Sequence, residues 1–450
     1  MLRLLARARH PPCLWTARDT EFRPKLALPQ SGTLDSYLMR PSLRAQLSGM
    51  MFLNYVVWGA WYVTVSTYLT LTLKFTGTEA GAVFGTAALS CMISPFFVGL
   101  IADRFFSTER VMAVLHFIGA GLLFWVTKVT SFGAVYALML AYCLCYFPTI
   151  SLSNSLTLRH VKDAGREYPL IRVFATVGWI VIGLIVGRMG IEASATPFLL
   201  ASGASIVMAV YCLTLPHTPP GAQGQPVNVR NLLGFDALVM LKKQSYLVFV
   251  IASVLACIPL TFYFSFTNAY LNDVGVQNAA GKMTWGQVSE VVMMILMPFI
   301  FKRVSVKGIL VLGLFAWSVR YGLLAYGNAG PGMWMFYIAI LLHGICFDFF
   351  FMTGQLYTDQ QAPPNLRGTA QGLITFLTYG IGMFIGSVLS GTAVDFFTHT
   401  VGGQISRNWI GFWLSSALSA FVILILVTLF FRDKTKIEPQ PVPLEAIAAE

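Results

Sequence analysis

Charge is scarce in this sequence. Asp, Glu, Lys and Arg make up 11% of its 450 residues, against about a quarter in an ordinary soluble domain. That scarcity excludes most soluble globular folds. Histidine is scarcer still, with six residues scattered at His10, His116, His160, His217, His343 and His399. They form no metal-ligand or nucleophile–base cluster, so no metal, cofactor or catalytic residue is expected and an enzyme is disfavoured. Cys13, Cys91, Cys143, Cys145, Cys212, Cys257 and Cys346 show no zinc-type pairing, and nearly all lie in apolar runs. They read as small buried hydrophobes. Long polar stretches are also rare. Beyond the first 38 residues the longest one between apolar runs is 216–244, which holds Pro216, Pro219, Pro220, Gly221 and Gly224 and then Arg230, Lys242 and Lys243.

What remains is apolar. The hydrophobic share is 56% and the mean hydropathy +0.69, which fits an all-α polytopic membrane protein whose first partner is the lipid bilayer. The formal net charge of +11 invites a nucleic-acid reading. The basic residues, however, fall between apolar runs rather than in one patch, so no nucleic-acid partner is expected. Twelve runs long enough to span are placed at 47–73, 80–102, 109–128, 131–155, 169–190, 194–215, 245–272, 282–302, 306–326, 332–355, 367–392 and 408–431. Residues 1–38, with Arg3, Arg7, Arg9, Arg18 and Arg23 among several prolines, lack a signal-peptide core. They are expected to be a disordered tail or the product of a start placed too early, with Met39 as a natural beginning. The expected organisation is then an N-terminal six-helix half at 39–216, a central loop at 217–244, a C-terminal six-helix half at 245–432 and a tail at 433–450.

Charge orients the spans. The connections after spans 2, 4, 6 and 8 carry Arg104 and Arg110, Arg159, Lys162 and Arg166, Lys242 and Lys243, and Lys302, Arg303 and Lys307. The alternate connections carry few basic residues. By the positive-inside rule both termini and the central loop are cytoplasmic. Six spans, a loop and six spans is the plan of the major facilitator superfamily. Gly99-Leu100-Ile101-Ala102-Asp103-Arg104 resembles the superfamily's loop signature, although its later part is degraded to Phe106-Ser107-Thr108-Glu109-Arg110. Asp103 and Arg104 are expected to have a structural role there.

Polar residues inside the spans mark candidate sites. Glu290 sits roughly 10 Å along span 8 from Met283, at about 1.5 Å per residue, and Gln287 precedes it by one turn on the same face. Such a carboxyl group must be protonated, paired or facing water, and a cavity is expected against this face. In span 5, Arg172, Thr176 and Trp179 form one stripe offering a forked donor, a hydroxyl and a broad ring. Span 7 offers Thr261 and Phe264. Arg320 in span 9 and Asp348 in span 10 invite a structural ion pair. His343 and Phe347 share a face of span 10, one turn apart.

Together with Trp58-Gly59-Ala60-Trp61, Leu73-Lys74-Phe75, Leu213 to His217 and Ala370-Gln371-Gly372, these residues make 42–432 resemble the nucleoside:proton symporters of the major facilitator superfamily. The resemblance implies import of nucleosides with protons by alternating access, as a monomer. It implies that Arg172, Thr176, Gln287, Glu290 and Phe347 contact the nucleoside, and that Glu290 or Asp348 carries the proton. Trp179 stands where the enterobacterial permeases have Phe, and His343 where they have Tyr. Thr261 and Phe264 stand where those permeases have Gln and Asn. A transporter for another polar small molecule, such as a sugar or drug, shares the architecture, and a membrane sensor is the remaining class.

Overall fold

The computed structural model describes residues 39–97, 105–220, 235–401 and 404–437. Asp103 and Arg104, the central part of the 217–244 loop, the tail beyond Ile437 and the segment 1–38 lie outside the described residues. The described helices all belong to the unit that begins at Arg40.

Helices account for nearly all of it. They are α1 (Pro41–Tyr62), α2 (Gly77–Phe97), α3 (Thr108–Val126), α4 (Phe132–His160), α5 (Ala164–Met189) and α6 (Thr196–Cys212), then α7 (Gln244–Asp273), α8 (Ala279–Arg303) and α9 (Val306–Tyr326). The set ends with α10 (Met333–Gln361), α11 (Arg367–Phe396) and α12 (Trp409–Phe430). Among the described residues nine of these are long and apolar enough to cross a membrane. The α6 helix is apolar but has 17 residues, about 26 Å at 1.5 Å per residue. Among the described residues the strands are those of a hairpin between α11 and α12, in which Thr398–Val401 pairs antiparallel with Gln404–Arg407.

Local chemistry sets the helix ends. The Asp163 side chain accepts from the Arg166 amide at the start of α5, Ser305 from Gly308 at α9, and Asn408 from Gly411 at α12. Each satisfies an amide that the first turn leaves without a partner. Gly190 closes α5 at φ 64°, a conformation glycine adopts without a side-chain clash. Wider π-helical turns interrupt three places: Tyr68–Thr72 after α1, Asp348–Met352 within α10 and Phe376–Gly382 within α11. Such turns often sit at functional sites, and Asp348 opens one of them.

The inside is aromatic. Trp61, Tyr142, Trp317, Trp413 and Tyr321 are buried almost completely, while Phe117, Trp125, Ile295, Phe299 and Leu418 point outward. An apolar exterior over helical segments of this length is the surface that lipid covers.

The packing pattern repeats. Helix α1 lies against α5 and α6, α3 against α4 and α6, and α2 against α4. Six helices later, α7 lies against α11 and α12, α9 against α10 and α12, and α8 against α10. The two sets meet through α2 with α11 and through α5 with α8, again a matched pair. Small residues permit both approaches. A Cβ on Gly81 would run into the Ser387 carbonyl oxygen, and one on Gly187 into Asn278 and Gly281.

The contacts at Gly81 and Gly187 lie toward one end of the molecule, the end of the α1–α2, α5–α6, α7–α8 and α11–α12 connections. Two carboxylates fasten it. Asp395 accepts from the Gly77 amide at 2.6 Å, the Thr78 amide at 2.7 Å and the Thr78 hydroxyl at 2.6 Å. It thereby caps the N-terminus of α2 from α11, where the helix dipole favours a negative charge. Glu192, in the α5–α6 connection, is buried and accepts from the Asn268 and Asn272 side chains at 2.8 and 2.7 Å and from the Ala280 amide at 2.9 Å. Asn268 in turn accepts from the Thr67 hydroxyl. At the opposite end the first segment of α11, Arg367–Thr375, packs on Thr353–Gln361 of α10 and on the turn Phe235–Lys242.

Candidate functional site

Four helices, α1, α5, α7 and α8, surround a small space between the two helix sets. Gly59 and Thr64 line it from the α1 side, and Trp179 and Gly183 from α5. Tyr263 and Phe264 come from α7, and Thr284 and Gln287 from α8. Three of the residues expected from sequence, Trp179, Phe264 and Gln287, therefore face one cavity.

A continuous run of rings, of which Trp179 and Phe264 line the space, forms a wall that extends beyond it. Trp179 meets Trp58 edge to face at 5.0 Å, and Tyr62 at 5.8 Å. Tyr62 reaches across to Phe264 at 6.0 Å, Phe264 meets His343 at 5.7 Å, and His343 stacks on Phe347 at 5.8 Å. This run passes from α1 and α5 to α7 and α10, so a flat ring placed against it touches both helix sets. Aromatic pairs at these separations hold one another's orientation.

Charge lies beside the wall. Arg172 donates to the Tyr55 hydroxyl at 2.6 Å, and its guanidinium lies 4.6 Å from the centre of the Tyr55 ring. It is within electrostatic reach of Glu290 on the facing helix. The Glu290 side chain is 22% exposed, and its carboxylate lies 3.8 Å from His343 Nε2, beyond hydrogen-bond range. An open polar group at this depth is compatible with a ligand or with water. Asp348 is buried one face over, within electrostatic reach of Glu290, and one of its oxygens has no hydrogen-bond partner. Two carboxyl groups thus share one region with one guanidinium from the opposite helix set. Thr176 lies half-buried on the Arg172 face of α5. Among the described residues no group of His, Cys, Asp and Glu could hold a metal ion.

Two expectations need correction. Arg320 does not pair with Asp348: no ion pair joins them among the described residues. The Arg320 guanidinium instead donates to His343 Nδ1 at 3.2 Å and lies 3.5 Å from the centre of the Tyr263 ring. A guanidinium can be accommodated by a ring face and a neutral acceptor as well as by a carboxylate. Thr261, expected at the site, is directed elsewhere. Its hydroxyl donates back to the Cys257 carbonyl at 2.6 Å, and the residue is buried against Gly386 of α11.

Sequence reasoning passed over Tyr55, Tyr62 and Tyr263, which sit among apolar neighbours and give no polar signal in a hydropathy pattern. It also passed over Glu192, which reads as an ordinary loop acid until the fold brings α7 and α8 onto it.

A model of the family described as nucleoside H+ symporter matches residues 41–436. The chain belongs to the nucleoside H+ symporter family. Its relatives include YegT of Escherichia coli (strain K12), 39% identical over 401 residues, covering 86% of this chain and 94% of that one. The xanthosine permease of the same organism is 31% identical over 421 residues, covering 90% and 99%. Its nucleoside permease NupG is 30% identical over 400 residues, covering 86% and 96%. A crystal structure of nucleoside transporter NupG superposes with a TM-score of 0.80 at 29% identity, covering 87% of this chain and all of that chain. The family is one of membrane transporters, not enzymes.

Proposed function

We propose that this protein imports nucleosides together with protons by alternating access, binding the nucleoside between Arg172, Thr176 and Trp179 on one side and Phe264, Gln287, Glu290, His343 and Phe347 on the other. The single observation that carries the reading is the ring wall from Trp179 to Phe347, with Arg172 and Glu290 within electrostatic reach of one another beside it. A nucleoside is a flat base joined to a ribose. Its base would stack on the rings, and its hydroxyls and base edges would meet the carboxylate, amide and guanidinium. Because the wall is contributed by both helix sets, closure around the ligand would depend on the ligand being there.

The repeating packing pattern supports twelve spans in two six-helix halves, 39–216 and 245–432, that rock about the site. The basic connections after α4, α6 and α8 support placing their end, with both termini, in the cytoplasm of a bacterial inner membrane. The end fastened by Glu192 and Asp395 would then face outward, and the present conformation would be closed to the outside. Glu290 and Asp348 are the two candidate proton carriers. A monomer suffices for the mechanism, because one chain brings both helix sets to the site.

The test is uptake of labelled uridine and adenosine by proteoliposomes, with and without an inward proton gradient. Gradient-driven accumulation of at least one nucleoside supports the reading. Accumulation of a sugar or drug but no nucleoside would replace it with the alternative of a transporter for another polar solute.

A further inference from the structure

His343 is held from every side. It is 1% exposed, stacked on Tyr263 at 5.4 Å with 24° between the planes, and flanked by Phe264 and Phe347. Its ring cannot turn without displacing one of them. One ring nitrogen faces Arg320 at 3.2 Å, and the other faces the Glu290 carboxylate at 3.8 Å. Arg320 is fully buried. Tyr263 and Cys346 also lie against its guanidinium.

The chemistry of that contact has one solution. A guanidinium carries five N–H donors, has no acceptor and does not lose its proton in a protein. The imidazole nitrogen that meets it must therefore offer a lone pair. A neutral imidazole has one N–H and one lone pair, so the proton sits on the nitrogen facing Glu290. A doubly protonated ring would set an N–H against an N–H and two cations side by side in an apolar interior, which is costly.

We propose that Arg320 is a positioning residue that fixes His343 as the neutral Nε2–H tautomer, giving the site a permanent N–H donor aimed at Glu290. His343 is then not a proton carrier. Protons that move through this region are taken up by Glu290 or Asp348, and His343 stays neutral while they move. The gap of 3.8 Å between His343 Nε2 and Glu290 gives the donor a second use. A ligand hydroxyl entering there accepts from Nε2–H while donating to the carboxylate, which selects for a group that is both donor and acceptor. This last step rests on the nucleoside reading above; the tautomer does not.

The experiment is nitrogen-15 spectroscopy of the full-length protein in lipid, with its histidines labelled and the His343 signals assigned through their correlation to Gly344. Between about pH 5 and 8, where an ordinary histidine titrates, the expected spectrum has an unprotonated Nδ1 and a protonated Nε2 that do not change. Arg320→Lys, which keeps a donor and a positive charge, should give the same pattern. Arg320→Met should let the proton distribute over both nitrogens or let the ring become doubly protonated at acid pH. A wild-type proton on Nδ1, or a doubly protonated wild-type ring at the acid end, would overturn the proposal, as would an Arg320→Met spectrum identical to wild type. The wild-type spectrum decides the tautomer even if a variant fails to fold. It does so even if no nucleoside is transported, so the two readings fail separately.

Discussion

Replacing Glu192 with glutamine should loosen the closed end. The carboxylate accepts three hydrogen bonds from the other helix set, two from the Asn268 and Asn272 amides and one from the Ala280 backbone. Hydrogen bonds to a charged group contribute about 1.5–3 kcal/mol each. Glutamine keeps one acceptor oxygen and turns the other into an amide donor. That donor must face either the two asparagine donors or the Ala280 amide. A net loss of about 2–4 kcal/mol results, and at about 1.4 kcal/mol per tenfold this shifts the closed-to-open ratio roughly 30- to 1000-fold. Spin labels at positions 188 and 277, at the facing ends of α5 and α8, report the gap in a cysteine-replaced background. The wild type should give one short distance and Glu192→Gln a broader, longer population. Apparent affinity for substrate on the outside should rise as the outward-open state gains population. An unchanged distance distribution together with unchanged external affinity would refute the role given to Glu192.

Arg172→Lys should weaken nucleoside binding about tenfold, because the fork that meets Tyr55 and reaches toward Glu290 is lost; equal affinity by calorimetry would leave Arg172 as a packing residue. Gly81→Leu should push α2 away from α11, where overpacking costs about 1–3 kcal/mol. The label pair at the closed end should then lengthen, and an unchanged distance would show that the Gly81–Ser387 contact does not hold that end closed. Glu290→Gln should abolish accumulation driven by a proton gradient while leaving exchange of nucleoside across the membrane intact. Normal gradient-driven accumulation by that variant would move the proton to Asp348.

Much of the fold and of the candidate site was legible in the sequence because a membrane simplifies the code. Long apolar runs mark helices directly, and intramembrane Arg172, Gln287, Glu290, His343 and Asp348 stand out as exceptions to them. The partners of those residues were not legible. Arg320 and Asp348 lie on consecutive helices and carry opposite charge, yet Arg320 turns to the ring of His343 and the face of Tyr263. Nothing in one strand of sequence says which face of α9 meets which face of α10. The face of α7 was read only in part for a related reason. Phe264 reaches the cavity, while Thr261, three residues earlier, spends its hydroxyl on its own helix. Glu192 was invisible because its role exists only after the two helix sets meet.

The central claim is that one nucleoside and at least one proton cross together at a site built by both helix sets. Proteoliposomes holding a trapped pH dye test it directly. Adding uridine or adenosine outside, with no imposed gradient, should acidify the lumen as the nucleoside enters, and Glu290→Gln should abolish that acidification. Nucleoside entry at the wild-type rate with no change in lumenal pH would contradict the account.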